Sequence, residues 1–160
     1  MNIEQALRDH LVYLLEGGGA HRSLADAFRD VPIGVRGARP AGLPPSLWEL
    51  LEHMRICQWD ILEFSRDPEH VSPDWPAGYW PEGATPPSET AWDESLEALE
   101  GNLRQMVELV KSPGADFFTP FPWGDGQTLL REALLVADHN AYHVGQVVDA
   151  RRLLGCWPPK

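Results

Sequence analysis

Residues 92–110, WDESLEALEGNLRQMVELV, decide the fold. Trp92, Leu96, Leu99, Leu103, Met106 and Val110 recur at spacings of four, three, four, three and four. That interval returns a side chain to the same face of an α-helix, so the stretch reads as one amphipathic helix with a heptad-like stripe. It ends near Ser112-Pro113-Gly114, where proline and glycine stop helical continuation.

The same punctuation extends outward in both directions. A first helix is predicted over roughly residues 2–16, with Ile3, Leu7, His10 and Leu14 on one stripe and Gly17-Gly18-Gly19 as its stop. Ser23 to Phe28 reads as a further turn or two, with Ser23 as N-cap. After the proline-bearing connection Val31–Pro45, Ser46-Leu47-Trp48-Glu49 has the form of a capping box. A second long helix is predicted from there to about Arg66, its apolar face built from Leu47, Leu50, Leu51, Met54, Cys57, Ile61 and Phe64. Residues 67–87 carry prolines at 68, 73, 76, 81, 86 and 87 and cannot be regular helix. Trp75, Tyr79 and Trp80 interleave with them, which implies a loop packed onto the protein.

Beyond the helix at 92–110, the aromatic and proline-rich run Phe117–Gly124 leads into a last helix from near Thr128 to about Leu154. Two rows serve as candidate core positions there. One holds Leu130, Leu134, Ala137, Ala141, Val144 and Val148; the other holds Leu129, Ala133, Val136, Asn140, His143 and Val147. Strand signals are weak throughout. Four long helices make an all-α bundle the economical fold, and 160 residues suit a single domain over 1–160.

Composition narrows the function. The formal charge of −11 repels phosphate backbones, and no Lys/Arg run reverses it locally, so neither nucleic acid nor an anionic membrane is expected as partner. No run approaches the ~18 apolar residues of a membrane helix. Met1–Gln5 has neither the basic start nor the apolar stretch of a signal peptide. Cys57 and Cys156 are too few for a disulfide framework, and a cytoplasmic location with reduced thiols is expected.

Chemistry concentrates in the histidines at 10, 21, 53, 70, 139 and 143. His139 and His143 are four apart, so on a helix their side chains point the same way, ~5–6 Å apart at Cβ. That suits two imidazoles on one metal ion. Six histidines in 160 positions yield about 0.2 such pairs by chance, so a pair of half-buried histidines bonded to backbone or water fits as well. His53 lies at the border of its helix's apolar face, either as a boundary histidine or as a third ligand, since bundles draw ligands from facing helices. Three nitrogens leave a coordination position open, as catalytic sites do. Cys57, one turn after His53, is the available fourth ligand or else a small core filler. His10 and His21 are rivals for the interior, with packing or surface roles ahead of ligation. His70 is expected in solvent. The residue after His139 is Asn140, where a zinc protease has its glutamate base. A general base is not identified, although Asp138 and Gln146 lie nearby, and the catalytic residues stay unknown.

The run Ala137-Asp138-His139-Asn140-Ala141-Tyr142-His143-Val144-Gly145-Gln146-Val147, followed by Arg151 and Leu154-Gly155, resembles the last helix of DinB-like proteins. Ser46–His53 is similar to that family's second helix, where one histidine follows a Leu-Leu-x step. The resemblance implies an up-down-down-up four-helix bundle with long proline-rich loops, usually homodimeric. It also implies one divalent ion (nickel, zinc, iron or manganese) held by His53, His139 and His143. The family includes thiol transferases for bacterial low-molecular-weight thiols, related isomerases and metal-dependent hydrolases. The implied activity is that of a metal-dependent enzyme, a hydrolase or a thiol transferase. It would activate a water or a thiol against a small-molecule substrate, with a low-molecular-weight thiol as a further cofactor in the second case. The alternative is a non-enzymatic metal- or ligand-binding bundle with its metal structural or absent.

Overall fold

Glycine, proline and capping residues cut the chain at the ends of its apolar stripes, and the computed structural model follows those cuts. It describes residues 3–158. Among the described residues the secondary structure is all helical: α1 spans Ile3–Leu15, α2 Leu24–Phe28, α3 Leu47–Arg66, α4 Ala91–Lys111 and α5 Leu129–Leu153. Two single 3-10 turns, Ile33–Val35 and Ala77–Tyr79, sit in the connections. Residue 2, the expected start of the first helix, and Pro159 lie outside the described residues.

Local chemistry sets the ends. The Ser23 hydroxyl accepts from the Asp26 N–H and opens α2. At α3 the capping box is complete: the Glu49 N–H donates to Ser46 Oγ at 3.1 Å, and the Ser46 N–H donates to the Glu49 carboxylate at 2.7 Å. The same Ser46 hydroxyl, fully buried, donates to the Ala84 carbonyl at 2.6 Å and ties the long loop to the start of α3. Ser46→Ala therefore removes a cap and leaves a loop carbonyl without its donor. We expect a loss of about 1–2 kcal/mol, read as a melting temperature lower by roughly 3–6 °C. A change below about 1 °C would contradict the double role. At the other end of α5, Gly155 adopts φ 71°, a left-handed conformation that glycine takes without strain. The N–H of Cys156 reaches the Arg151 carbonyl and that of Gly155 the Arg152 carbonyl, closing the helix as a Schellman motif.

α3 packs against both α4 and α5, and α1 lies against the same two helices. The buried apolar side chains form two clusters. One joins α2, the first half of α3, Trp92 and Leu99 of α4, and Val144, Val147 and Val148 of α5. The other joins Leu11 and Leu15, Ile61 and Leu62, Met106 to Val110, Phe117, and Leu129 to Val136. Between them lies a polar layer. Asn140 Nδ2 donates to Gln58 Oε1 at 2.8 Å, and Gln58 Nε2 donates to the Leu99 carbonyl at 2.5 Å, linking α5, α3 and α4.

Two stripes differ from expectation. On α1 the buried positions are Leu11 and Leu15 with Leu7 beside them, while Ile3, His10 and Leu14 face outward. At about 100° per residue, Leu11 and Leu15 lie to one side of Leu7 and Ile3, His10 and Leu14 to the other, and α4 and α5 cover the Leu11–Leu15 side. On α5 the row Leu129, Ala133, Val136, Asn140, His143 and Val147 is the fully buried one. Leu134, in the other row, is exposed.

Arg151 is the largest departure from ordinary core chemistry. Its side chain is 0 % exposed and has no carboxylate partner among the described residues. Nη1 donates to the Ala27 carbonyl at 2.7 Å, while Nη2 and Nε both donate to the Cys156 carbonyl, at 2.9 and 3.2 Å. The guanidinium also sits 5.2 Å from the centre of the Trp157 ring. One planar cation thus joins α2, the end of α5 and the C-terminal segment.

Candidate metal centre

α3 brings His53 against α5, where His139 and His143 stand one turn apart. The ring centroids are 5.1 Å apart for His53 and His139, 4.7 Å for His53 and His143, and 4.4 Å within the pair. One nitrogen from each ring lies within 4.8 Å of the other two, and among the described residues these three form the group able to hold a metal ion. His53 Nε2 and His139 Nε2 are 3.3 Å apart. Two nitrogens bound tetrahedrally to one zinc at ~2.05 Å would be about 3.3 Å apart. The donor set is three neutral imidazoles, which suits zinc, nickel, iron and copper better than the hard, oxygen-seeking cations.

The second nitrogens of two rings are already committed. His53 Nδ1 is 2.8 Å from the Tyr79 carbonyl, which only accepts, so Nδ1 carries the proton and Nε2 the lone pair. His143 Nδ1 is 2.7 Å from Gln146 Oε1, which leaves its Nε2 free in the same way. Fixing a ligand's tautomer through its far nitrogen is the usual outer support of a metal site. Trp80 stacks on His53 with centroids 3.9 Å apart and planes 3° from parallel, and Tyr142 meets the edge of His143. Trp80 from the loop therefore forms one wall of the centre.

Burial holds all three imidazoles neutral. His53 lies below its ordinary value, chiefly through desolvation. His139 is pushed down to about 3 by desolvation and then by His143 and His53. His143 falls to about 4, again through desolvation first. In the unfolded chain these groups titrate near 6.5. Between about pH 6.5 and pH 4 the unfolded chain of the metal-free protein therefore binds more protons than the folded one. Stability is fully present above pH 6.5 and is lost as pH falls. His139 and His143, both neutral in the folded protein at pH 5, each contribute a slope of at most roughly 1.4 kcal/mol per pH unit there, and His53 acts in the same direction. Urea midpoints of metal-free protein from pH 7 to pH 4.5 should fall more steeply than those of His139→Gln; parallel curves would refute this.

The remaining sequence candidates are placed elsewhere. His10 and His21 are exposed on α1 and the glycine loop. Cys57 is buried with Sγ 3.5 Å from His53 Nδ1, but it is not in the three-nitrogen group. Burial pushes its thiol up to about 12, so it behaves as a small core side chain against the ring. His70 is not solvated: its side chain is buried, with Nε2 2.8 Å from Asp60 Oδ1 and the Trp59 ring against its edge. Trp75, at 77 % exposure, stays outside, Tyr79 is half-buried, and Trp80 lies on the His53 ring while still 38 % exposed. Gln146 has the orienting role that sequence left undecided, while Asp138 is exposed. The Tyr79 carbonyl and Asp60 were not legible, because a main-chain acceptor and a contact between residues 19 apart leave no local pattern.

An all-helical chain that gathers three imidazoles from facing helices is a helical protein built around a histidine centre. Its sequence matches the DinB superfamily over residues 19–147, and the chain belongs to that family. No curated protein and no solved structure matches it. Among the described residues, no helix is long and apolar enough to cross a membrane.

Proposed function

We propose that the protein is a metal-dependent enzyme in which His53, His139 and His143 hold one divalent ion: nickel, zinc, iron or manganese. The observation that carries the reading is the convergence of three ring nitrogens within 4.8 Å, two of them backed by hydrogen bonds at their far nitrogens. A divalent ion with three nitrogen ligands supplies an open position, at which a water or a thiol loses its proton near neutral pH. The residues of this chain do the rest. The Tyr79 carbonyl and Gln146 orient two of the rings, and Trp80 shields the His53 face. The reaction proposed is the one such a centre would support: a water or thiol would bond to the electrophilic atom of a small substrate as the leaving group departs with its bonding pair and a proton, which would make the protein a hydrolase or a thiol S-transferase.

With the family comes a wider reading that we also propose: a single domain over 1–160, an up-down-down-up arrangement of the four long helices, a homodimer and a cytoplasmic setting. Sedimentation at micromolar concentration should give twice 17.9 kDa; a monomer would exclude the dimer.

The deciding experiment is metal analysis of protein purified without chelator or nickel resin, followed by a panel of substrates on the metal-loaded protein. One arm pairs bacterial low-molecular-weight thiols with electrophilic acceptors, and the other offers simple esters and amides. About one ion per chain with turnover in either arm supports the enzyme. Full metal occupancy without turnover in either arm favours the alternative, a non-enzymatic metal-binding bundle.

A further inference from the structure

The proline-rich loop reaches the histidine centre, and one buried carboxylate holds it there. Asp60, on α3 two turns after His53, is buried and accepts two hydrogen bonds from that loop. The Tyr79 hydroxyl donates to Oδ2 at 2.7 Å, and His70 Nε2 lies 2.8 Å from Oδ1. An ionised carboxylate only accepts, so His70 donates through Nε2. The two contacts fall at opposite ends of a ten-residue segment. Past its second end the main chain delivers the Tyr79 carbonyl to His53 Nδ1 and the Trp80 ring to the His53 face.

We infer that Asp60 is a positioning residue for the centre: it clasps the strap His70–Trp80, whose Tyr79 carbonyl and Trp80 ring fix the tautomer and plane of His53. Asp60 never meets the nitrogens themselves. It acts through Tyr79, whose hydroxyl it takes and whose carbonyl His53 uses. Because burial and the neighbouring Asp60 charge both raise the Tyr79 phenol above its ordinary value, the hydroxyl stays protonated and keeps donating. His70 is braced in turn by Trp59, also on α3, whose ring lies nearly perpendicular to it with centroids 5.1 Å apart. A residue filling space alone would need neither oxygen satisfied by the loop. This carboxylate has one on each end of the strap.

The inference deepens the metal-centre reading and rests on it for one of its two measurements only. The first measurement is made on metal-free protein: side-chain nitrogen NMR of the histidines. In the wild type His53 should be a single tautomer protonated at Nδ1. A solvated imidazole favours the proton on Nε2. In Tyr79→Phe and Asp60→Ala the loosened strap should therefore move His53 toward the Nε2–H form, while His143, held by Gln146, keeps its signals. The second is zinc titration by calorimetry, where both variants should bind about 10–100-fold more weakly, the range for loss of an outer partner of a metal ligand. Tyr79→Phe removes one hydroxyl and keeps the ring, so it remains informative if Asp60→Ala folds poorly. A wild type that binds no zinc sinks the metal reading but leaves the NMR arm intact. An unchanged His53 tautomer in a folded Tyr79→Phe protein overturns the clasp.

Discussion

His139→Ala, His143→Ala and His53→Ala are each expected to lower metal affinity by at least about 100-fold, since on the proposed reading each removes one of three ligands and leaves two. Equality among the three is the sharper part of the expectation. The pair on α5 is preset by helical spacing, whereas His53 arrives from another helix. A two-histidine site completed by water would lose little on removal of His53 and nearly everything on removal of His143. The 3.3 Å between His53 Nε2 and His139 Nε2 argues for full participation of α3. Metal content by mass spectrometry, with thermal melts to verify folding, checks this. Full occupancy in His53→Ala would restrict the centre to α5, and full occupancy in His139→Ala would remove the metal reading altogether.

The second large effect concerns stability. Arg151→Met keeps much of the side-chain volume but withdraws every donor from the Ala27 and Cys156 carbonyls. Leaving the buried Ala27 acceptor unmade costs roughly 1–3 kcal/mol and the part-buried Cys156 acceptor somewhat less, so a total of about 3 kcal/mol and a melting temperature lower by about 6–12 °C are expected. Arg151→Lys should recover less than half of this. An ammonium has no planar fork with which to span carbonyls on two segments. The position also fits the charge logic of helix ends, because a cation at the last turn of α5 faces the negative end of its dipole. If the methionine variant melted within 2 °C of wild type, the guanidinium would be a passenger in the core.

Much of the fold was legible because its signals are local. Ser46 and Glu49 announce a helix start within four residues, Gly155 a helix end in one, and the 92–110 stripe a buried face by period alone. Where signals compete, sequence misled. His10 sat on an apparent stripe because Leu7, His10 and Leu14 satisfy helical spacing as well as Leu7, Leu11 and Leu15 do. Only the position of α4 and α5 chooses between them. For the site, His139 and His143 were readable from their step of four, and His53 joined them through resemblance and the expectation of facing helices. His70 was misplaced for an instructive reason. A histidine among prolines looks solvated until the loop folds back, and its carboxylate partner belongs to a helix ten residues earlier.

The acceptor that sets His53 is a peptide carbonyl, and this changes what mutation can do to the centre. Every amino acid brings that oxygen, proline included. No single substitution at position 79 can delete it; a substitution can only move it. The side chains at 70 and 79 matter through where they hold that oxygen, while the oxygen itself is supplied by the chain. A comparison of sequences would find the three histidines and pass over the fourth participant, which has no letter of its own.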